Sequence, residues 1–357
     1  MPDTEDWSPP GGRPRSVFAG GGSMSWTPPL SASNRTATTD VSALWDEAEA
    51  LRDKAKVKPK KTGPHGYKPP QTIEEKIKGW APDVVVSLVH SEVMSLLRFV
   101  APGPDADPAS LMVIDAVGTA RLVCTLTPPP DATFVERNAL GLPSVDSKAK
   151  KDQRKSSRNA ILAHASDLDL LYMECLGLGI AQNKHVYLLL LAALSLLHST
   201  GQLFKHRFSV PRPNLLSQTV QPMLQVPGHA SYPAGHAAQA HGVSNLVGDL
   251  LDLPAAGGNT LRDGLIDVAN HVANMRVVAG LHYAFDNLAG RALGQSIASL
   301  LKVLGSGTYI GWQPYAYVAG ANGPTEEAPG SAALPMTPVL TALWGLAKVE
   351  IDRANID

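Results

Sequence analysis

The sequence predicts an all-α protein built as a helical bundle, on three observations. From Thr72 onward, apolar residues recur at i, i+3 and i+4 over successive segments, the period of a helix with one buried face. The most apolar run, Val186 to Leu197 (VYLLLLAALSLL), is 12 residues long, whereas a membrane span needs about 20. Thr260 stands three positions before Asp263, the spacing of a capping box with Asp in the usual place of Glu. The 357 residues suffice for one large domain or two ordinary ones with a sizeable core.

Residues 1–71 read as an extended Pro/Gly-rich arm. Within it, Val41, Leu44, Trp45, Ala48 and Leu51 fall at helical spacing and predict one short amphipathic helix over 40–56. Such an arm is expected to dock on its own body or on a partner subunit, and a homo-oligomer is expected. A helical catalytic domain follows over 72–304. Ile73 to Gly79 and Val84 to Val100 carry the helical pattern. Leu111 to Leu126 reads as a buried helix, although its Val, Ile and Thr content leaves a strand open. The stretch 127–160, with its PPPD and KAKKDQRKSSR segments, reads as an exposed loop leading into a helix N-terminus. Residues 160–203 supply two helices broken near Gly177–Asn183. After a polar loop over 206–232, helices are expected at 236–251, 260–279 and 283–304. The segment 305–357 is a Gly/Pro-rich tail with a last helix near Pro338–Arg353.

Composition removes several classes. Lys and Arg number 31 against 32 Asp and Glu, a net charge of −1, without the basic excess of a nucleic-acid partner. Two cysteines, Cys124 and Cys175, supply neither a disulfide framework nor a four-thiolate metal site, and fit a reducing compartment. The start, MPDTEDWSPPGGRPRS, has no apolar core of a secretory signal, so a cytoplasmic protein without a membrane span is expected.

Three segments put charge or imidazole into apolar, small-residue surroundings. Lys205 and Arg212-Pro213 sit at the exit of the long apolar helix, two cations that need an anion or solvent. Tyr232-Pro-Ala-Gly235-His236 opens a helix, where Gly lets the backbone approach a ligand and free N–H groups attract an oxyanion; His236 is placed to exchange protons there. Arg276 precedes a break at Gly280, and His282 and Asp286, four apart, read as one face of a helix. The carboxylate then takes one ring nitrogen and leaves the other as nucleophile or ligand.

In order, K-x6-R-P, P-x-G-H and R-x5-H-x3-D resemble the signature shared by vanadium-dependent haloperoxidases and the type-2 phosphatidic acid phosphatase-like enzymes, acid phosphatases among them. The motifs span Lys205 to Asp286, with helical surroundings matching over 160–304. The resemblance implies a helical bundle of that type with one site taking vanadate or phosphate. Lys205, Arg212 and Arg276 would neutralise its equatorial oxygens and the Gly235 N–H would donate to one. His282 would be the axial vanadium ligand or the phosphoryl-accepting nucleophile, Asp286 would orient it, and His236 would be the acid/base. His229 opens a run, HASYPAGH, similar to the HPSYPSGH stretch of algal bromoperoxidases, where the upstream His lies near the peroxide. Two departures stand out. Ala234 replaces the usual Ser, which removes a donor to the oxyanion, and Gln202 stands where the peroxidases carry Trp. The expected activity is a vanadate-dependent haloperoxidase oxidising halide, bromide favoured, with hydrogen peroxide. The alternative is a soluble acid phosphatase cleaving a phosphomonoester through a phosphohistidine.

Overall fold

The helical period beginning at Thr72 is realised in the computed structural model, which describes residues 72–354 apart from 106, 143–146, 166, 255–256 and 258–259. The arm over 1–71 and its expected helix at 40–56 lie outside the described residues. Helix α1 (Ile73–Gly79) leads into α2 (Pro82–Leu96). Three strands follow, β1 (Leu97–Val100), β2 (Ala109–Ile114) and β3 (Ala120–Thr127), then four helices, α3 (Ala132–Leu140), α4 (Lys148–Ser156), α5 (Arg158–Ala163) and α6 (Leu168–Cys175). The longest helix is α7 (Lys184–Phe208), followed by the short α8 (Pro213–Leu216). Helices α9 (Gly235–Leu250), α10 (Leu261–Val278) and α11 (Ala284–Gly305) complete the centre; β4 (Tyr315–Val318), β5 (Thr325–Glu326) and α12 (Pro338–Arg353) close the chain.

The all-α expectation is overturned by a five-stranded mixed sheet in the order β1-β2-β3-β4-β5. Strands β1, β2 and β3 form an antiparallel meander, β4 joins β3 in parallel, and β5 pairs antiparallel with β4. The helix expected over Leu111–Leu126 is instead a hairpin. Its turn is made by Asp115, whose Oδ1 accepts from the backbone N–H of Val117 and Thr119, and by Gly118 at φ 84°, a left-handed conformation favouring glycine. Burial in β2 alternates residue by residue, the strand period. The helix expected to reach Val100 stops at Leu96, and its last residues enter β1. The loop expected over 127–160 contains α3, capped by Asp131 Oδ1 accepting from Phe134 N at 2.7 Å, and α4, capped by Ser147. The tail contributes β4 and β5 to the sheet. The capping box at Thr260–Asp263 is present, with Thr260 N donating to Asp263 Oδ2 at 2.9 Å and Asp263 N to Thr260 Oγ1 at 3.3 Å.

Close approach of α9 and α11 sets the site. A Cβ on Gly290 would lie 2.5 Å from Ala234 O and 2.8 Å from Ala237 Cβ, and one on Gly294 would lie 2.4 Å from Ala238 O. Only glycine permits this spacing. The sheet braces the same region, because Tyr232 OH donates to Thr127 O at the end of β3, at 2.8 Å. Ser296 and Ser299 of α11 accept from the backbone N–H of Tyr315 and Gln313. Two carboxylates cap helices other than their own. Glu92 of α2 accepts from Val339 N and Leu340 N at the start of α12, and Glu350 of α12 accepts from His185 N and Val186 N at the start of α7. Among the described residues, one stretch, Lys184–Leu216, is long and apolar enough to cross a membrane, and 61% of its most apolar window is buried inside the fold. Its face packs on α2, α9 and α12.

Candidate active site

Lys205, in the last turn of α7, is buried, and its Nζ donates to Ala230 O and Ser231 O, both at 2.9 Å. Arg212 immediately precedes α8. Its Nε donates to His229 O at 3.1 Å and its Nη1 to Leu281 O at 2.8 Å. The same Nη1 lies 3.0 Å from His282 Nε2, and Nη2 lies 3.2 Å from His229 Nδ1. A guanidinium only donates, so His282 Nε2 is the unprotonated, lone-pair nitrogen of its ring. The proton sits on Nδ1, 2.9 Å from Asp286 Oδ2. His282 and Asp286 do not share a helix face as the spacing suggested. His282 lies just before α11 and Asp286 in its first turn, where Oδ2 also accepts from Tyr283 N at 3.1 Å. Asp286 thus reaches back across the helix start, one contact serving both cap and imidazole.

The other predicted residues converge on the same point. Arg276 occupies the last turn of α10, which ends before Gly280, at φ 75°. Gly235 and His236 are the first residues of α9, and a Cβ on Gly235 would meet nothing within 4 Å. Lys205, Arg212, His229, Gly235, His236, Arg276 and His282 all line one enclosed cavity, with Asp286 behind His282. The cavity is small, with a volume of ≈ 20 Å³. A larger cleft of ≈ 310 Å³ beside Phe208 and Pro211 has acidic residues, Asp105, Asp131 and Glu136, as its only charged lining and is the wrong chemistry for an anion. Ala234 is buried among Ala237 and Ala273 and is absent from the cavity lining.

Burial dominates the electrostatics. It lowers Lys205 well below its usual range, with Arg212 adding repulsion and Asp286 opposing. Arg212 and Arg276 are both pushed down to about 10 by burial, Arg276 also by Arg212. Burial holds His282 and His236 well below the usual imidazole range, helped by Arg212 for the first and Arg276 for the second. His229 is lowered to about 4 by burial and then by Lys205. Asp286 is raised by burial, against the hydrogen bond from Ser231 and the charge of Lys205. Three buried cations thus face one buried carboxylate, and Arg276 Nε and Nη1 have no hydrogen-bond partner. Such unpaired donors are costly unless an anion meets them.

No protein-family model matches the chain, and no curated protein matches it. The chemistry therefore rests on the residues themselves. Among the described residues no cluster of three or more His, Cys, Asp and Glu side chains could hold a metal cation. What the donors fit is a tetrahedral oxyanion: three cations, the glycine-lined start of a helix and one imidazole lone pair. Vanadate and phosphate both meet that description.

Three residues at the site, Ser231, His198 and Gln239, carried no role in the sequence reading, and Gln202 entered it only as a departure from the peroxidases. Ser231 is fully buried and donates to Asp286 Oδ2. His198 and Gln202 lie one turn apart on α7, and Gln239 one turn beyond His236 on α9. The i, i+4 step from His198 to Gln202 and the i, i+3 step from Gln202 to Lys205 were the available signal for a polar stripe. His241, by contrast, is buried away from the cavity, where burial lowers it to about 3.

Proposed function

We propose that this chain is a vanadate-dependent haloperoxidase, related to the haloperoxidase and acid phosphatase superfamily that its motifs resemble. The observation that carries the reading is the convergence of three buried cations, Arg276 with two unpartnered donors, on the cavity that holds the His282 lone pair. Lys205, Arg212, Arg276 and the Gly235 N–H would hold the oxygens of the anion, and His282 Nε2 would be its protein ligand. Bound vanadate supplies a Lewis-acidic centre at which hydrogen peroxide is activated towards halide. The chain's own work is to keep that centre charged, dry and oriented. Asp286 holds the Nδ1 proton and so keeps Nε2 available. His236, held neutral by its surroundings, would take up a proton from peroxide in the cavity and hold it beside the bound anion. His229, also neutral above pH about 4, stands beside Arg212 on the cavity wall. The small enclosed cavity favours reactants the size of peroxide and bromide over a bulky ester. A cytoplasmic setting, in keeping with the free thiols of Cys124 and Cys175, and a homo-oligomer belong to the same reading.

A second reading is favoured by the imidazole itself. A lone pair at Nε2 with a carboxylate-bound Nδ1–H also suits attack on a phosphomonoester, the P–N bond of a phosphohistidine at His282 forming as the P–O bond breaks and the alcohol leaves with a proton from solvent. Two assays separate them: bromination of a phenol dye with orthovanadate and peroxide, and p-nitrophenyl phosphate hydrolysis without vanadate. Vanadate-dependent bromination is expected. Phosphatase turnover without bromination would overturn the peroxidase in favour of the second reading, and the absence of both would overturn both.

A further inference from the structure

We infer that Ser231 is the positioning residue that seats the Asp286 carboxylate against the His282 Nδ1–H; the inference rests on the proposed function only for its effect on turnover. Ser231 is fully buried, and its Oγ donates to Asp286 Oδ2. The hydroxyl carries one proton, so its 3.4 Å approach to His282 Nδ1 adds no second donation. All three donors to Asp286, the Ser231 hydroxyl, the Tyr283 N–H and the His282 Nδ1–H, converge on Oδ2. Oδ1 is buried with no partner. Without Ser231, only the Tyr283 and His282 N–H groups would hold the carboxylate in place.

The backbone of Ser231 ties the same residue to the cations. Its N–H donates to Val210 O at 2.8 Å, two residues before Arg212, and its carbonyl accepts from Lys205 Nζ at 2.9 Å. One serine therefore links the lysine, the strand of chain carrying one arginine, and the carboxylate behind the imidazole. The carboxylate selects the Nδ1–H form of His282, and only that form offers Nε2 to a ligand.

The test compares full-length wild type with Ser231→Ala and with Ser231→Cys, whose thiol nearly keeps the volume but is a weak donor. Nitrogen-15 NMR of the histidine rings, with His282 assigned by its loss in His282→Ala, should show the Nδ1–H form in wild type. Both variants should keep that form, since Arg212 Nη1 faces Nε2, with the Nδ1–H signal shifted as the carboxylate moves. With vanadate, peroxide and bromide, both should lose kcat by roughly ten- to a hundredfold, the effect of one hydrogen bond to a charged acceptor, with KM for bromide nearly unchanged. In an Asp286→Ala background, Ser231→Ala should cost no further kcat. An unchanged His282 Nδ1–H signal in a folded variant, or losses that multiply in the double mutant, would overturn the inference. If wild type binds neither phosphate nor vanadate, the functional reading fails, while the His282 Nδ1–H comparison still decides the role of Ser231.

Discussion

Arg276 Nε and Nη1 are buried without a hydrogen-bond partner, and a charged group left so costs about 1–3 kcal/mol or more. Arg276→Leu should therefore raise the Tm in phosphate-free buffer by a few degrees while weakening phosphate binding at least tenfold. Differential scanning fluorimetry across a phosphate titration reads both, and a fall in Tm with unchanged affinity would make Arg276 a structural cation instead. His282→Ala should abolish vanadate-dependent turnover; Asp286→Ala should reduce it less, since Asp286 orients the ring. Ala234→Ser should leave phosphate affinity within about twofold, because its neighbours are Ala237 and Ala273. The cations and imidazoles were legible because each stands in a short motif with a fixed spacing. Ser231 was not, because its partner is 55 positions away and no local pattern marks a serine that donates across that span.

At the level of elements, the pairing of α9 with α11 holds His236 beside the His282–Asp286 corner. Gly290→Ala would drive a methyl into Ala234 O and Ala237, an overpacking cost of about 1–3 kcal/mol, and should lower both Tm and turnover. Gly235→Ala makes the opposite case. Its Cβ meets no neighbour, so stability should hold, while the methyl enters space beside the cavity and weakens oxyanion binding. Circular dichroism melts paired with phosphate titration separate the two. The helices were legible by their period and, at Thr260, by their cap. The sheet was not, because Leu111–Leu126 is apolar on either period when the turn at Asp115–Thr119 is overlooked. The one local sign was an acidic residue followed three positions later by Gly118 inside an apolar run. Strand β4, paired with β3 nearly two hundred residues earlier, carries no sign at all within its four residues.

For the whole molecule, the four imidazoles of His229, His236, His241 and His282 are all held below their usual range by burial. The unfolded chain takes up their protons near pH 6.5 and the folded one does not, so stability falls as pH drops from about 6.5 toward 4. Melting curves from pH 7.5 to 4.5 should show this decline, and saturating phosphate should offset part of it by binding only the folded form. A Tm that rises on acidification would contradict the buried neutral histidines. The cross-capping carboxylates have a consequence in time. The start of α7 is closed by Glu350, 165 positions after His185, and α7 is the helix that ends with Lys205. At roughly 5–20 residues per second, a ribosome takes about ten to thirty seconds to travel from one to the other. Throughout that interval the nascent α7 has no cap, and Glu92, already made, waits for the N–H groups of Val339 and Leu340. The start of α7 is thus closed only after residue 350 has been made, and a nascent chain stalled before residue 338 should leave the first turn of α7 open to protease.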